Sequence, residues 1–340
     1  MQEKITILIT GSAGFLGAPL AYDLLKMGHK IIGIDNYCNS NSKNTKKLKK
    51  NFNENYVFYK IDIALAPIEL NKIFLKHNPE LVIHFAALKS VQDSILHKNL
   101  YIKNNINSTI NILDSMRISK CKKIIYSSSA AVYGNQKVQP ISENAHLEPR
   151  SPYAETKLAC EQLIIDACNN LNIDGVSLRY FNPIGFHSSK LFKEDLNENA
   201  GNIMQEIIKV ALKKREYLNI YGDDYSTKDG TCERDFIHID DVLKAHIKLI
   251  TYIKLNKGYE VFNVGTGKPV SILELINIFI KSNNVPISYK FVKRKHGDIQ
   301  SCYADVSKIK HAAKWSSKKD LNTMVEDSWM AYSDELIKTK

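Results

Sequence analysis

The fold turns on Ile5-Thr6-Ile7-Leu8-Ile9-Thr10-Gly11-Ser12-Ala13-Gly14-Phe15-Leu16-Gly17. An apolar, β-branched run of strand length passes directly into Gly-x-x-Gly-x-x-Gly, and an amphipathic helical segment follows over 15–28. A glycine turn lets the backbone approach a pyrophosphate, whose charge then meets the N–H groups at the start of a helix. The same glycines could serve helix-on-strand packing alone, but the strand-turn-helix setting favours dinucleotide binding. The chain has 15 glycines in 340 residues, and no other three repeat this spacing.

Further along, apolar runs alternate with helical stretches. Strands are expected at Ile5–Thr10, Lys30–Asp35, Val57–Asp62, Leu81–Ala86, Lys123–Ser128 and Gly175–Tyr180, and helices near 15–28, 41–51, 67–77, 97–119 and 153–171. Six such strands with helical crossovers imply an α/β fold, a doubly wound parallel sheet. After Pro183 the pattern loosens into mixed elements, although a helix from Asp240 and a strand at Tyr259–Gly265 look as apolar as the early units. The chain therefore divides into a dinucleotide-binding domain over 1–182, to which 236–266 return, and a smaller mixed α/β substrate domain over 183–235 and 267–340.

Charge and composition narrow the classes. Lys plus Arg number 47 against 36 Asp plus Glu, a formal excess of 11. The excess is dispersed except for Lys43–Lys50, which reads as a solvated helix face rather than a nucleic-acid site. No apolar run approaches the roughly 18 residues of a membrane span, and the first strand begins too early to leave room for a secretory signal. The six cysteines, at 38, 121, 160, 168, 232 and 302, include no Cys-x-x-Cys pair and fit reduced thiols in a cytoplasm.

Asp35 ends the second strand, 18 residues beyond Gly17, where a carboxylate can accept the adenosine ribose hydroxyls and would repel a 2′-phosphate, favouring NAD. Asp62 is a candidate acceptor for the adenine amino group or a plain helix cap. Tyr153 and Lys157, spaced i, i+4, place phenol and ammonium on one helix face. Tyr-x-x-x-Lys recurs at Tyr22, Tyr56, Tyr133 and Tyr289, but only Tyr153 follows a helix-opening Pro152 after a strand ending in Ser127-Ser128-Ser129. A nearby ammonium and a positive nicotinamide ring would both favour phenolate, moving an ordinary pKa of about 10 toward the working range. A surface Tyr/Lys pair beside a strand-end serine cluster is the bland alternative. His238, Asp240 and Asp241 could pass for metal ligands; carboxylates ahead of a helix starting near Val242 read instead as an N-cap and dipole match, with no metal. Trp315 and Trp329 read as packing residues.

Taken together, Gly11–Gly17, Ser127–Ser129 before Ala130-Ala131-Val132-Tyr133-Gly134, and Ser151-Pro152-Tyr153-Ala154-Glu155-Thr156-Lys157 resemble the extended short-chain dehydrogenase/reductases. Asp35–Ser40, His84–Val91, Arg179–Pro183 and Asp229–His238 narrow the likeness to their sugar-nucleotide epimerase branch, from about Ile5 to Trp329. The resemblance implies a UDP-hexose 4-epimerase reaction between UDP-glucose and UDP-galactose, by transient NAD-dependent oxidation at sugar C4. Tyr153 and Lys157 would be its proton-transfer pair and Ser129 the hydroxyl orienter. Around the cofactor it implies Phe15 and Leu16 at the pyrophosphate; Asp35, Asn36, Asn39 and Ser40 at the adenosine ribose and phosphate; and Asp62 and Ile63 at the adenine. Phe85, Ala86, Ala87 and Lys89 would line the nicotinamide half, with Asn104 beneath it and Phe181 closing it.

For the UDP half, Arg234 matches the family's phosphate arginine, Asn182 and Asn202 its diphosphate-side asparagines, and Tyr221 its ring near uracil. The family's Arg-x-Gly-Asp is here Lys295-His296-Gly297-Asp298, preceded by Arg294. Lysine lacks the bidentate fork, so either Lys295 acts as a point charge or Arg294 substitutes, and Asp298 would accept from the ribose. Cys302 stands where the family places a bulky residue that excludes N-acetyl groups, so UDP-GlcNAc and UDP-GalNAc become candidate substrates. Related 4,6-dehydratases carry an Asp-Glu pair where this chain has Ala130 and Ala131, which leaves no evident acid and base for elimination. A dehydratase or decarboxylase, and a non-catalytic NAD-binding regulatory protein, remain the alternatives. The likeness also implies a homodimer through helices near 97–119 and 153–171, packed as a four-helix bundle.

Overall fold

The computed structural model describes residues 3–196, 202–295 and 297–337. It divides into two compact units: Met1–Val132, Ser151–Arg179 and His246–Phe262 form one, and Tyr133–Arg150, Tyr180–Ala245 and Asn263–Lys340 the other.

The first unit alternates strand and helix: β1 (Thr6–Thr10), α1 (Gly17–Lys26), β2 (Lys30–Asp35), α2 (Ser42–Asn51), β3 (Tyr56–Lys60), α3 (Pro67–His77) and β4 (Leu81–His84). Three short helical pieces follow, α4 (Val91–Leu96), α5 (Lys98–Tyr101) and α6 (Asn107–Ile118), then β5 (Lys123–Ser129), α7 (Pro152–Leu171) and β6 (Asp174–Tyr180). The sheet has seven strands in the order Tyr259–Val264, β6, β5, β4, β1, β2, β3. Register is parallel from β3 through β5, with Ile7 opposite both Ile31 and Leu81. Strand order reverses between β1 and β4, and in such sheets ligands sit outside the carboxyl ends at that crevice. The strands read as unbroken apolar runs because helices cover both faces: Ile7, Leu8, Ile9, Val82, Ile83, Ile124 and Ile125 are fully buried. Leu8, Ile32, Val82 and Ile124 share one core with Leu70, Phe74, Ile112, Met116 and Ile164.

Several expected boundaries change, and the fourth strand ends at His84 rather than Ala86. The third strand ends at Lys60, because the Asp62 carboxylate turns the chain by accepting from Ala64 N (3.0 Å) and Asn36 Nδ2 (2.9 Å). The helix expected over 97–119 is broken, with a π-helical turn at Ile102–Ile106 between α5 and α6. That turn carries Asn105 inward to hydrogen-bond the Leu88 backbone, a local demand that helical periodicity does not encode. The lysine-rich α2 buries only Thr45 and Leu48, and its lysines form a solvated face.

The second unit holds three small sheets: Asn182–Ile184 with Phe236–His238, Tyr289–Val292 with Leu218–Tyr221, and a three-stranded set of Val270–Ser271, Glu233–Arg234 and Ser301–Cys302. Ile207, Ile220, Phe236, Leu275, Ile276, Phe279, Val325 and Trp329 fill its core. Both tryptophans pack: Trp329 meets Phe279 edge-on, and buried Trp315 donates to Asp241 O (3.1 Å). The helix expected to start near Val242 begins at Ile239, so Asp240 and Asp241 lie within its first turn rather than capping it. Their carboxylates still favour the positive helix end, and they are used to fasten loops: Asp241 Oδ2 accepts from Lys318 N and Lys319 N, and Asp240 Oδ1 from Ser188 N. No helix among the described residues is long and apolar enough to cross a membrane.

Candidate active site

The glycine turn is built for a close approach. Gly11 has φ +66, and a Cβ there would stand 2.9 Å from Ala86 N; a Cβ on Gly17 would overlap Gly11 O at 2.1 Å. Both positions therefore exclude side chains, and α1 opens at Gly17 with no side chain capping it, which leaves the start of the helix to an anion. The turn is braced by Asp35, whose Oδ2 accepts from Ala13 N (3.0 Å) and whose Oδ1 accepts from Tyr37 N (2.8 Å) and Ser40 Oγ (2.9 Å). Those donors take three of roughly four acceptor positions on a carboxylate, so the Asp35 carboxylate is fixed in direction and keeps about one position open. Asn36 bonds Asp62, the exposed Asn39 follows at the same turn, and the Ile63 carbonyl accepts from Asn111 Nδ2 (2.8 Å).

After β4 the chain runs through Phe85, Ala86 and Ala87 to the exposed Lys89, whose ammonium lies 5.8 Å from the Phe15 ring centroid. Thr10 Oγ1 accepts from Ala86 N (3.1 Å) and meets His84 Nδ1 (2.7 Å), tying this segment to the end of β1. Asn105 holds its far end: Oδ1 accepts from Leu88 N (2.8 Å), and Nδ2 donates to Leu88 O (3.1 Å) and to Thr156 Oγ1 (3.0 Å). Asn104 donates to Asn105 Oδ1 (3.0 Å). The pattern-based reading missed Asn105 because a buried asparagine beside another asparagine carries no distinguishing spacing.

Ser151 caps α7 by accepting from Ala154 N (3.2 Å), which sets Tyr153 and Lys157 one turn apart beside the end of β5. The Lys157 ammonium is buried, donates to Ser127 O (2.6 Å), and lies 4.9 Å from the Tyr126 ring centroid and 5.9 Å from that of Tyr153. Burial pulls its pKa down to about 8, against the opposing pull of Cys160 and Glu161. Burial also pushes the Tyr153 phenol above its usual value, and the Ser129 hydrogen bond draws it only partly back. The phenol is thus not poised by the polypeptide alone: the lysine is aimed at a backbone carbonyl, and desolvation outweighs the hydroxyl. Ser129 Oγ also accepts from Ala131 N (3.2 Å), and the two residues after it are the alanines of a short 3₁₀ turn. No carboxylate follows the serine where a dehydratase carries two.

In the second unit, Arg234 donates through Nη2 to Asp298 Oδ1 (2.6 Å) and through Nη1 to Glu233 O and Ile299 O (2.8 Å each). Lys295 lies over the Tyr221 ring, 4.0 Å from its centroid, with its pKa lowered first by burial. Asp298 is the leading opposing influence on that ammonium, so Tyr221, Arg234, Lys295 and Asp298 gather in one cluster. Arg294 is turned elsewhere: it donates to Asp224 Oδ1 and O (2.6 Å each) on the surface and stacks on Tyr225, 3.9 Å from its centroid. Between the two candidates, Lys295 is the one placed with Arg234. Cys302 pairs in register with Arg234 and is buried, which pushes its thiol up to about 11. Asn182 is held on Asp235 O (3.1 Å), Asn202 caps the helix Ile203–Ala211, and Phe181 is buried with its N–H on Val264 O (3.1 Å). Among the described residues no three His, Cys, Asp or Glu side chains gather as a metal site.

Comparison with known proteins identifies the family. Residues 7–265 match the NAD dependent epimerase/dehydratase family. UDP-glucose 4-epimerase of Bacillus subtilis (strain 168) is 37% identical over 326 residues, 96% of each chain, and that of Bos taurus is 37% identical over 338 residues, 97% of this chain and 96% of the relative. Among solved structures, UDP-glucose 4-epimerase from Stenotrophomonas maltophila, with bound NAD and formylated UDP-arabinopyranose, superposes with a TM-score of 0.93 at 34% identity, covering 99% of this chain and 100% of that one. The Bifidobacterium longum enzyme in complex with NAD+ and UDP gives 0.89 at 36% identity, covering 97% and 98%. A glycine cradle closed to side chains, a braced Asp35 and a Tyr-Lys-Ser trio at the strand ends, joined to near full-length similarity, place this chain in the NAD dependent epimerase/dehydratase family.

Proposed function

We propose that this protein is a UDP-hexose 4-epimerase that interconverts UDP-glucose and UDP-galactose. The observation that carries the reading is the Tyr153, Lys157 and Ser129 trio followed by Ala130 and Ala131 rather than by an acid pair. The residues at Gly11–Gly17, Asp35–Ser40, Asp62, Ile63 and Phe85–Lys89 would hold NAD, with Asn104 beside them; a cradle closed to any Cβ and a fixed ribose carboxylate suit that group. When bound, NAD supplies the acceptor and donor of hydride for sugar C4 and a positive ring that favours phenolate.

Tyr153 takes the proton from the 4-hydroxyl and later returns it, while Ser129 orients that hydroxyl. Lys157, held on Ser127 O, supplies positive charge to the phenolate. Inversion needs the 4-keto sugar to present its other face, so the diphosphate must be gripped while the hexose turns. Arg234 and Lys295 supply the cations, Asp298 the acceptor for the uridine ribose, and Tyr221 a ring for the base, with Asn182 and Asn202 on the diphosphate side, while Phe181 closes over the nicotinamide half. Alanines after Ser129 speak against a dehydratase, and retention of the trio speaks against a purely regulatory NAD-binding protein.

Three finer readings accompany this. The first compact unit serves NAD and the second the UDP-sugar, with Cys302 leaving room for an N-acetyl group. The protein is a homodimer, supported by the exposed Ile95, Leu96, Leu100 and Ile102 on and beside α4 and α5. It works in a reducing cytoplasm, supported by six free thiols; fewer than six titratable thiols in an unreduced, denatured sample would contradict that.

The deciding experiment incubates the purified protein with UDP-galactose and follows UDP-glucose by chromatography. Conversion is expected, reduced by at least about 100-fold in Tyr153→Phe. No conversion, or a Tyr153→Phe rate within a few-fold of wild type, would overturn the proposal.

A further inference from the structure

Below the Tyr153/Lys157 pair, α7 carries a third residue on the same face. Tyr153, Lys157 and Glu161 recur every four residues, so all three point toward the end of β5. Each meets one of three consecutive serines: Tyr153 the Ser129 hydroxyl, Lys157 the Ser127 carbonyl (2.6 Å), and Glu161 Oε1 the Ser128 hydroxyl. Glu161 is also gripped from β6, where Arg179 donates through Nε to Oε1 (3.0 Å) and through Nη2 to Oε2 (2.6 Å). Glu161, Arg179 and Ser128 are 2%, 4% and 2% exposed, so the pair is sealed from water. Removing two charges from water is costly, and well-packed apolar residues of similar volume would often serve stability as well or better. A fork on a carboxylate does provide direction, and here the direction fixes the serine lying between the two that serve the reacting pair.

We propose that Glu161, clamped by Arg179, is a positioning residue: through Ser128 it holds the end of β5 in the register that brings the Ser129 hydroxyl to Tyr153 and the Ser127 carbonyl to Lys157. This deepens the epimerase reading and rests on it for the kinetic part of its test. The groups facing the reacting pair are Cys160 and Glu161 on α7, Tyr126 on β5 and His84 on β4. Burial raises the Tyr126 phenol and the Cys160 thiol and lowers His84 to about 3, so those three stay neutral near neutral pH. Glu161 is the acidic residue in this set and is paired with Arg179.

The test uses the holoenzyme with Ser128→Ala, which removes one contact and no charge, and with the double replacement Glu161→Met/Arg179→Met, which exchanges the ion pair for apolar volume. Two readouts are taken: kcat and KM for UDP-galactose, and the titration of the Tyr153 phenol from tyrosinate absorbance, by difference against Tyr153→Phe in each background. With the strand end released, kcat is expected to fall about tenfold with KM within twofold. The phenol should titrate at higher pH, since the Ser129 hydrogen bond that lowers it is weakened. Wild-type kcat and an unmoved titration midpoint in Ser128→Ala would overturn the proposal, and that variant decides alone if the double replacement does not fold. If wild type fails to convert UDP-galactose, the epimerase reading falls while the phenol titration still decides the positioning role.

Discussion

At Lys157, burial and charge pull in opposite directions. Its ammonium is almost wholly out of water, which lowers its pKa to about 8, while Cys160 and Glu161 oppose the shift. Because the folded value lies below the 10.5 of an unperturbed lysine, the unfolded chain holds more protons between pH 8 and 10.5. This group therefore adds stability as pH rises through that window. Activity should move the other way: kcat is expected to decline above about pH 8 as the ammonium that supports the phenolate is lost, without a fall in Tm over the same range. A flat kcat from pH 7 to 9.5, or a decline that tracks unfolding, would show that Lys157 does not carry this charge. At Cys302 the prediction concerns size. On the proposed reading the small Cys302 thiol admits an N-acetyl group and Cys302→Tyr excludes it, so UDP-GlcNAc turnover should be present in wild type and fall at least about tenfold in the variant, with UDP-galactose turnover largely kept. Absence of UDP-GlcNAc turnover in wild type would refute it.

Among elements, the π-helical turn at Ile102–Ile106 is the one that local pattern could not announce. It spends helical regularity to carry Asn105 onto both backbone groups of Leu88 and onto Thr156 of α7. Asn105→Ala would leave the Leu88 N–H and C=O without their partner, at a cost of about 1–3 kcal/mol. Expected results are a lower Tm and a lower NAD-to-protein ratio after gel filtration; unchanged values of both would remove this role. By contrast, β2, α3 and α7 lie within a residue of where apolar period, Pro67 and Pro152 put them. What could be read in advance was what short-range sterics and periodicity control: the Gly11–Gly17 turn, the strand succession, and the i, i+4 spacing of Tyr153 and Lys157. The Glu161–Arg179 clamp was invisible for the opposite reason, since its partners are joined only when β6 packs beside β5. The surface placement of Arg294 was likewise unreadable, since it depends on Asp224 and Tyr225, seventy and sixty-nine residues away in the chain.

For the molecule as a whole, strand-length apolar runs and dispersed positive charge indicated a folded chain without a membrane span before any motif was weighed. The divided chain explains why linear domain boundaries blur: residues 133–150 belong with the second unit, where buried Tyr133 donates to Asn263 Oδ1 (2.6 Å) and Asn263 Nδ2 to Ile141 O (2.8 Å). Ile95, Leu96 and Leu100 stand 64%, 78% and 53% exposed, a run of apolar surface that a second copy would cover. Sedimentation should return twice the chain mass, with Leu96→Glu/Leu100→Glu shifting the equilibrium to monomer; a wild-type monomer at micromolar concentration would contradict that. The most direct test of reversible oxidation at sugar C4 is the fate of the hydrogen on that carbon. UDP-galactose deuterated at C4 should yield UDP-glucose that retains the label at C4 in unlabelled water. Deuterium lost to solvent, or a dehydrated sugar as product, would contradict the epimerase mechanism.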